Sequence, residues 1–299
     1  MRAVVAFIRL GRPLFLGGGF VLYALGAAIA AAAGHAIDVR RYLLGQAAVT
    51  ALQLMTHYGN EYFDLDADRA NATPTRWSGG SRVLVAGELP ARVALIAALV
   101  LAAIGAALAV VIGDARAQIT LAAIVVLAWE YSAPPLRLCA RGLGELTTAV
   151  VVCVLVPWLA FALQAPDLAG ARWLALSVVP PALLQLAMLV AIEFADAAGD
   201  AAAGKRTLVV RLGARGAARV YAAAVAAAFL WLPLAVALGL PVRVALAAGC
   251  LAPVGAWRIV RATDHADPAA HERIGFFGVA VLVAVAVAEL AGWLWSSCR

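Results

Sequence analysis

The chain has 299 residues, of which 65% are hydrophobic and only 13% are charged, and its mean hydropathy is +0.94. A soluble domain is about half apolar and a quarter charged, so this composition excludes an ordinary soluble protein and indicates one that lies in a bilayer. Because backbone polar groups inside a bilayer must be hydrogen-bonded within the protein, helices are expected throughout.

Nine apolar runs follow one another along the chain, each close to the roughly 20 residues that a helix needs to span a bilayer. They are 12–33, 42–61, 92–112, 116–133, 146–164, 173–194, 218–238, 242–261 and 275–295. Connections such as Gly113 to Ala115 are very short, so the helices that they join must be antiparallel neighbours. The predicted fold is an all-α integral membrane protein, with nine transmembrane helices in a single bundle and residues 1–299 in a single domain.

Basic residues predict the orientation of the bundle, since Lys and Arg in short connections are retained in the cytoplasm. With a cytoplasmic N-terminus, 17 of the 23 Lys and Arg residues lie on that side. The other six, which lie on the opposite side, are Arg40, Arg41, Arg116, Arg172, Arg243 and Arg299. The expected location is the inner (plasma) membrane, multi-pass, with the polar connections 62–91 and 195–217 in the cytoplasm. The net charge of +6 then reflects membrane insertion and predicts no nucleic-acid partner.

Acidic residues cluster in two short windows, 60–68 and 193–200, which hold seven of the 17 Asp and Glu residues. Helical residues four apart share a face. Asn60, Asp64 and Asp68 therefore form one stack, and Asp196 and Asp200 form a second.

Stacked carboxylates repel one another, and burial at a membrane interface raises that cost. A divalent cation would remove the problem, and Mg²⁺ prefers one or two carboxylates together with water and substrate phosphate. Two such stacks facing a common cavity would suit a diphosphate held through metal ions. The alternative is that each window is a solvated helix end flanked by basic residues. The occurrence of two windows at equivalent helix ends favours the metal site.

At these positions the chain resembles the UbiA superfamily of intramembrane aromatic prenyltransferases, which has nine helices. Asn60, Asp64 and Asp68 match the Asn-x-x-x-Asp-x-x-x-Asp motif of that family, and Asp196 and Asp200 match its Asp-x-x-x-Asp motif.

Three further segments resemble the family, at 79–85, 131–145 and 204–213. The first two are most similar to the menaquinone branch, which prenylates 1,4-dihydroxy-2-naphthoate. The chain departs from some relatives at Ile192 and Glu193, where those relatives have paired Asn residues.

The resemblance implies that the protein transfers a polyprenyl chain from its diphosphate to an aromatic acceptor, using Mg²⁺. The implied catalytic residues are Asp64, Asp68, Asp196 and Asp200. The implied metal ligands are these four together with Asn60. The implied substrate-binding residues are Asn60, Lys205, Arg206, Tyr131, Arg82, Arg137 and Arg141.

Several of these residues have plainer interpretations. Arg82, Arg137 and Arg141 also fit as cytoplasmic anchors, and Tyr131 as one of the tyrosines common at membrane interfaces. His57 is best interpreted as a packed, hydrogen-bonded histidine. Glu289 is an intramembrane acid to which the sequence assigns no role.

Two other functions remain open. A secondary transporter also has many spans, but its polar groups belong near the midplane, whereas these acids collect at cytoplasmic helix ends. Among enzymes, the alternative acceptors are 4-hydroxybenzoate and other aromatic or tetrapyrrole compounds. Neither the prenyl chain length nor the oligomeric state can be predicted from the sequence.

Overall fold

A computed structural model describes residues 2–261, 265 and 267–297, and the regular structure of these residues is helical, with no strand. Arg299, which the charge pattern assigns to the far side of the membrane, lies outside the described residues. The described residues form α1 (Arg2–Leu10), α2 (Leu16–Ala32), α3 (Val39–Phe63), α4 (Leu65–Ala70), α5 (Ala91–Ile112), α6 (Ala115–Ser132), α7 (Gly144–Val150), α8 (Val156–Gln164), α9 (Ala171–Ser177), α10 (Val179–Ala202), α11 (Leu208–Ala237), α12 (Val242–Gly249), α13 (Ala252–Val260) and α14 (His271–Ser297). A π-helical segment, Val151–Leu155, joins α7 to α8.

Seven helical segments of the described chain are long and apolar enough to cross a membrane. They are Arg2–Ala32, Ala91–Ile112, Gly144–Gln164, Ala171–Ala202, Leu208–Ala237, Val242–Val260 and Pro268–Ser296. This confirms the all-α membrane fold, and every predicted apolar run overlaps a helix. The count of nine spans is not confirmed, because α3 and α6 are not among the seven. Both contain charged residues, including Arg40 and Glu61 in α3 and Arg116 and Glu130 in α6.

One predicted boundary is wrong. The sequence suggested a polar connection over 195–217, but α10 continues to Ala202 and α11 begins at Leu208. Alanine favours the helix more than any other residue, and the Ala-rich end of α10 extends it through the second acidic window. The hydroxyl of Thr207 accepts a hydrogen bond from the backbone N–H of Val210 and caps α11. The second acid stack therefore lies on a continuous helix.

Close packing brings the two acidic windows together. Helix α10 packs against α4 as well as against α11 and α14, while α2 packs against α8 and α14. At Gly199 in α10, a Cβ atom would lie 3.0 Å from the backbone of Asn71 and 3.1 Å from the carbonyl oxygen of Ala67. The absence of a side chain at Gly199 thus lets α4 lie directly on α10. This is how small residues act in membrane helix packing.

Labelling of single cysteines tests the orientation that the charges predict. Ala36, Ala72 and Ala202 are exposed and lie in different connections or at helix ends. In a variant lacking the four native cysteines, a membrane-impermeant maleimide added outside intact cells should modify a cysteine at position 36 and not at 72 or 202. Permeabilised cells provide the control, since all three positions should then react. Labelling of 72 and 202 in intact cells, with 36 protected, would contradict the predicted orientation.

Candidate active site

The two acid stacks face one cavity of about 620 Å³. Its wall includes all five residues of the two motifs, namely Asn60, Asp64, Asp68, Asp196 and Asp200. The first stack crosses a break between helices, because α3 ends at Phe63 and α4 begins at Leu65. Helical hydrogen bonds nevertheless continue across the break. The N–H of Asp64 donates to the carbonyl of Asn60 at 2.8 Å, and that of Asp68 to Asp64 at 2.9 Å. The four-residue spacing therefore places these side chains on one face, as predicted.

Asn71 links the two stacks. Its side-chain N–H donates to Asp196 Oδ1 at 2.6 Å, and its Oδ1 accepts from the N–H of Thr73 at 2.8 Å. The residue is buried and follows directly after α4. Sequence reasoning did not identify Asn71, since an Asn beside Ala and Thr looks like an ordinary turn residue.

Lys205 is the cation at the centre of the acids. Its Nζ lies 3.4 Å from Asp64 Oδ2 and 3.2 Å from Asp200 Oδ1, so it bridges the two stacks. Only 9% of the residue is exposed. Burial by itself would lower the pKa of the Lys205 amine, but the nearby Asp64 and other anionic groups outweigh burial and raise the pKa well above its ordinary value. The amine therefore stays protonated.

One lysine does not neutralise four aspartates. Burial raises the pKa of the Asp68 carboxyl to about 8, and repulsion from Glu61, Asp64 and Asp196 adds to this effect, while Lys205 opposes it. Asp64 Oδ1 is buried without a hydrogen-bond partner. These oxygens fit a hard divalent cation. Among the described residues, however, no three His, Cys, Asp or Glu side chains are close enough to hold an ion by themselves. Oxygens of a bound substrate or water would have to complete the ligand shell.

Residues at the end of α6 support the first stack. Ser132 Oγ donates to Asn60 Oδ1 at 2.8 Å and lies 3.4 Å from Asp64 Oδ2. Tyr131 lies in the cavity wall, as the sequence suggested. Cys139 also lines the cavity, where burial raises the pKa of its thiol to about 12 and keeps it protonated. Sequence reasoning missed Ser132, although it belongs to the quoted segment 131–145.

The basic residues proposed from the sequence are not equivalent. Arg206 is exposed, unlike Lys205, and the guanidinium of Arg141 donates to the carbonyl of Pro135 at 3.1 Å. Arg82 donates to the backbone carbonyl of Asp68 and so supports α4. None of these three arginines is in the cavity wall, and neither is Arg137.

Arg12 is a cation that the sequence did not single out for the site. It lies in the cavity wall, its guanidinium donates to the carbonyl of Trp77 at 3.0 Å, and its Cζ lies 4.5 Å from the ring centre of Phe15. The sequence analysis counted it only toward membrane orientation. Because Arg12 and the acids are far apart in the chain, no local pattern could have connected them.

The segment after α4 folds over the acids. Glu61 is buried and accepts from the N–H of Ser81 at 2.6 Å and from its hydroxyl at 2.7 Å. Gly80 has a φ of +69°, and a Cβ there would overlap the carboxylate of Asp68. Glu61 thus holds the segment in place. Asp66, in contrast, is exposed and pairs with Arg69 at 3.4 Å, so it points away from the stack.

His57 and Glu289 are not members of the acid stacks. The Nδ1 atom of His57 is 2.7 Å from the carbonyl of Gly11, which agrees with a packed, hydrogen-bonded histidine. The ring also reaches the cavity wall. Glu289 is fully buried in α14 and is not in the cavity wall.

Away from the acids, the cavity wall is mostly apolar. Its wall includes Gly17 and Gly18 of α2, Val152 of the π-helical segment, and Phe276 and Val283 of α14. A Cβ at Gly17 or Gly18 would meet no atom within 4 Å, so these glycines leave space beside α2. The cavity therefore combines a charged end with an apolar body, an arrangement that suits an amphiphile with an anionic head and an apolar tail.

Comparison with known proteins gives a family match and several similar folds. The model of the UbiA prenyltransferase family matches residues 20–281. No curated protein matches the chain in sequence. A structure from work on digeranylgeranylglyceryl phosphate synthase in membranes is similar with a TM-score of 0.69 and 16% identity, covering 99% of this chain and 100% of that one.

Two archaeal structures are also similar. The apo structure of a UbiA homologue from Aeropyrum pernix K1 has a TM-score of 0.67 and 21% identity, over 91% of this chain and 97% of that one. A UbiA homologue from Archaeoglobus fulgidus bound to GPP and Mg²⁺ has a TM-score of 0.62 and 15% identity, over 96% and 99% respectively. At these identities the similarity shows a shared fold.

Substitutions at the adjacent residues Lys205 and Arg206 test how the charge of the buried aspartates is balanced. Lys205→Met should destabilise the protein strongly, because loss of one partner leaves buried carboxylates unpaired, at a cost of about 3 kcal/mol. The expected fall in Tm in metal-free detergent is roughly 5–10 °C. Arg206→Met is the matched control and should change Tm little, since Arg206 is exposed. Equal effects of the two substitutions would contradict the central position of Lys205.

Proposed function

Since the chain belongs to the UbiA prenyltransferase family, whose model matches residues 20–281, we propose that it transfers a polyprenyl chain from an allylic diphosphate to an aromatic acceptor. The observation that carries this proposal is the shape and charge of the cavity, which joins two Asp stacks and Lys205 to an apolar body. The diphosphate binds at the charged end, and the prenyl chain lies along the apolar walls.

The four aspartates, Asp64, Asp68, Asp196 and Asp200, hold the divalent metal, with Asn60 beside them. The unpartnered Asp64 Oδ1 supports this assignment, as does the Archaeoglobus fulgidus homologue solved with GPP and Mg²⁺. Bound Mg²⁺ would offset the negative charge that develops on the diphosphate as it leaves. Because the aspartates do not form a complete ligand shell, metal and diphosphate bind together.

Other residues of the chain act on the organic groups. Lys205 donates to the leaving diphosphate, as a fixed charge that needs no rearrangement during the reaction. The ring of Tyr131 faces the allylic carbon and stabilises positive charge there. The apolar walls keep water away from that carbon.

The acceptor proposed first is 1,4-dihydroxy-2-naphthoate, as in menaquinone biosynthesis. The resemblance of segments 79–85 and 131–145 to that branch supports it. A carboxylate on the acceptor needs a cation. Arg12 is now the favoured partner in place of Arg82, Arg137 and Arg141, because it lies in the cavity wall.

The charge distribution supports an inner-membrane location with the active site toward the cytoplasm. Arg12, Arg69, Arg82 and Lys205 all lie near the charged end of the cavity, which is the side that the positive-inside rule assigns to the cytoplasm.

Metal dependence tests the diphosphate site. EDTA should abolish prenyl transfer, and added Mg²⁺ should restore it. Asp64→Asn should lower kcat at least about tenfold, equivalent to roughly 1.4 kcal/mol of barrier, because it removes a charged ligand and nearly preserves shape. Asp66→Asn is the control and should keep wild-type activity, since Asp66 is exposed. Full turnover in metal-free buffer would sink this mechanism.

Product analysis tests the acceptor. With a labelled prenyl diphosphate, 1,4-dihydroxy-2-naphthoate should give prenylated naphthoquinol together with carbon dioxide, because the new bond forms at the carbon that carried the carboxylate. The parallel assay uses 4-hydroxybenzoate, which keeps its carboxylate. If 4-hydroxybenzoate alone reacts, the naphthoate assignment is wrong while the diphosphate site stands.

A further inference from the structure

Five side chains form an aromatic corner in the wall of the same cavity, namely Arg12, Phe15, His57, Trp77 and Phe276. The ring of Phe15 stands edge-on to the rings of His57 and Trp77, with ring centres 6.4 Å and 6.2 Å apart. The Trp77 ring centre lies 6.1 Å from that of Phe276. Arg12 Cζ lies 4.5 Å from the centre of the Phe15 ring. Rings at such spacings pack favourably, so the aromatic corner has one cation beside flat apolar surfaces.

Helix α3 holds the segment between α1 and α2 against this corner. His57 Nδ1 lies 2.7 Å from the carbonyl oxygen of Gly11, and Gln53 Nε2 donates to the carbonyl of Phe15 at 2.8 Å. A carbonyl oxygen only accepts hydrogen bonds, so Nδ1 of His57 carries the hydrogen. The two contacts fix the backbone on both sides of Arg12 and set the tautomer of His57.

The second ring nitrogen of His57 is left for a ligand. Among the described residues no group hydrogen-bonds to Nε2, and none of their ion pairs includes His57. Nε2 is nevertheless not buried, and the ring lies in the cavity wall. A second positive charge beside the Arg12 guanidinium is unfavourable, which favours the neutral imidazole. With Nδ1 as the donor, Nε2 of a neutral ring is a hydrogen-bond acceptor.

Arg12 also keeps its charge for a ligand. The other cation of the cavity, Lys205, is ion-paired with Asp64 and Asp200. Within the part of the chain that the structure describes, Arg12 forms no ion pair. Its guanidinium donates to the carbonyl of Trp77 at 3.0 Å, and other N–H groups remain on the same planar fork. The aromatic corner therefore pairs a cation with a neutral acceptor of hydrogen bonds.

We propose that the aromatic corner binds a ring acid that also carries a hydroxyl group. The guanidinium of Arg12 pairs with the carboxylate, and Nε2 of His57 accepts a hydrogen bond from the ring hydroxyl. The ring itself lies against Phe15 and Trp77. This inference rests on the proposed function and narrows the acceptor to one chemical class, the aromatic hydroxy acids.

His57 is a specificity-determining residue in this arrangement. It precedes Asn60 by one turn of α3, so a hydroxy acid in the corner lies next to the diphosphate site without using its aspartates. A site built to bond a hydroxyl group rejects an analogue that lacks it, because a polar atom of the protein is then left unpaired. A neutral nitrogen acceptor gives no such discrimination for the carboxylate, which depends on Arg12.

Equilibrium dialysis of the detergent-solubilised protein, under nitrogen and without a prenyl donor, tests the inference. The probes are 1,4-dihydroxy-2-naphthoate against 2-naphthoate, and 4-hydroxybenzoate against benzoate. In at least one pair the wild type should bind the hydroxylated acid at least about tenfold more tightly. A wild type that shows no preference in either pair would overturn the inference.

Two substitutions of His57 separate recognition from packing. His57→Asn places an amide N–H where Nδ1 stands, so it keeps the bond to Gly11 and removes the acceptor at Nε2. The preference for the hydroxylated acid should largely disappear, while the affinity for the acid without hydroxyl changes little. His57→Gln loses the bond to Gly11 but brings an amide oxygen near the position of Nε2, so it should keep part of the preference. Arg12→Met is the matched control and should weaken both acids alike.

A His57→Asn variant that keeps the wild-type preference, or that loses affinity for both acids equally, shows a packing role alone and contradicts the inference. If this variant does not fold, as measured by its Tm, the decision rests on His57→Gln, and loss of its whole preference counts against the inference. The proposed function fails separately, if the wild type shows the expected preference but transfers no prenyl chain to either hydroxy acid in the presence of Mg²⁺.

Discussion

The structure depends on the repulsion among acids that are buried at one end of the helix bundle. Lys205 sits between Asp64 and Asp200 and offsets part of that repulsion, but burial, together with the charges of Glu61, Asp64 and Asp196, still raises the pKa of Asp68. Buried carboxylates that repel one another lower the free energy of unfolding of the free protein. Bound cations would raise it again, because ligands that bind only the folded state stabilise that state.

Close contacts hold the acids in this unfavourable arrangement. Gly199 lets α4 lie on α10, and Gly80 lets the segment after α4 reach the carboxylate of Asp68. Asn71 and Glu61 then fix that segment through hydrogen bonds to Asp196 and Ser81. The contacts at Gly199 and Asn71 join the α4 region to α10, which is distant in the chain, so the site forms only when these helices have packed. A substitution at either glycine would move carboxylates without touching them chemically.

The cavity separates two kinds of chemistry. Its acidic end, with Lys205 and Arg12, is suited to a metal-bound anion, and the apolar walls of α2 and α14 are suited to a hydrocarbon chain. Glu193 adds another acid to the same wall, and its Oε2 is buried without a hydrogen-bond partner. Charge therefore differs sharply between the two parts of one cavity.

Much of this protein was determined by the sequence alone. The apolar composition required a helical membrane bundle, because a helix hydrogen-bonds the backbone N–H and C=O groups of a long apolar run within that run. The four-residue spacing placed Asn60, Asp64 and Asp68 on one face, since helix geometry is local and survives even the break after Phe63. The family resemblance followed from the same residues, and the family match over 20–281 confirms it.

Tertiary structure alone decided which residues join the acids. Lys205 and Arg206 are equal candidates in the sequence, but only Lys205 turns inward. Arg12 and Ser132 reach the site from separate parts of the chain, and Asn71 looked like an ordinary turn residue. The packing of α7, which carries Glu145, against α10, which carries Glu193, also could not be read from the sequence. Local spacing fixes which side chains share a helix face, whereas contacts between helices depend on the packing of the whole bundle.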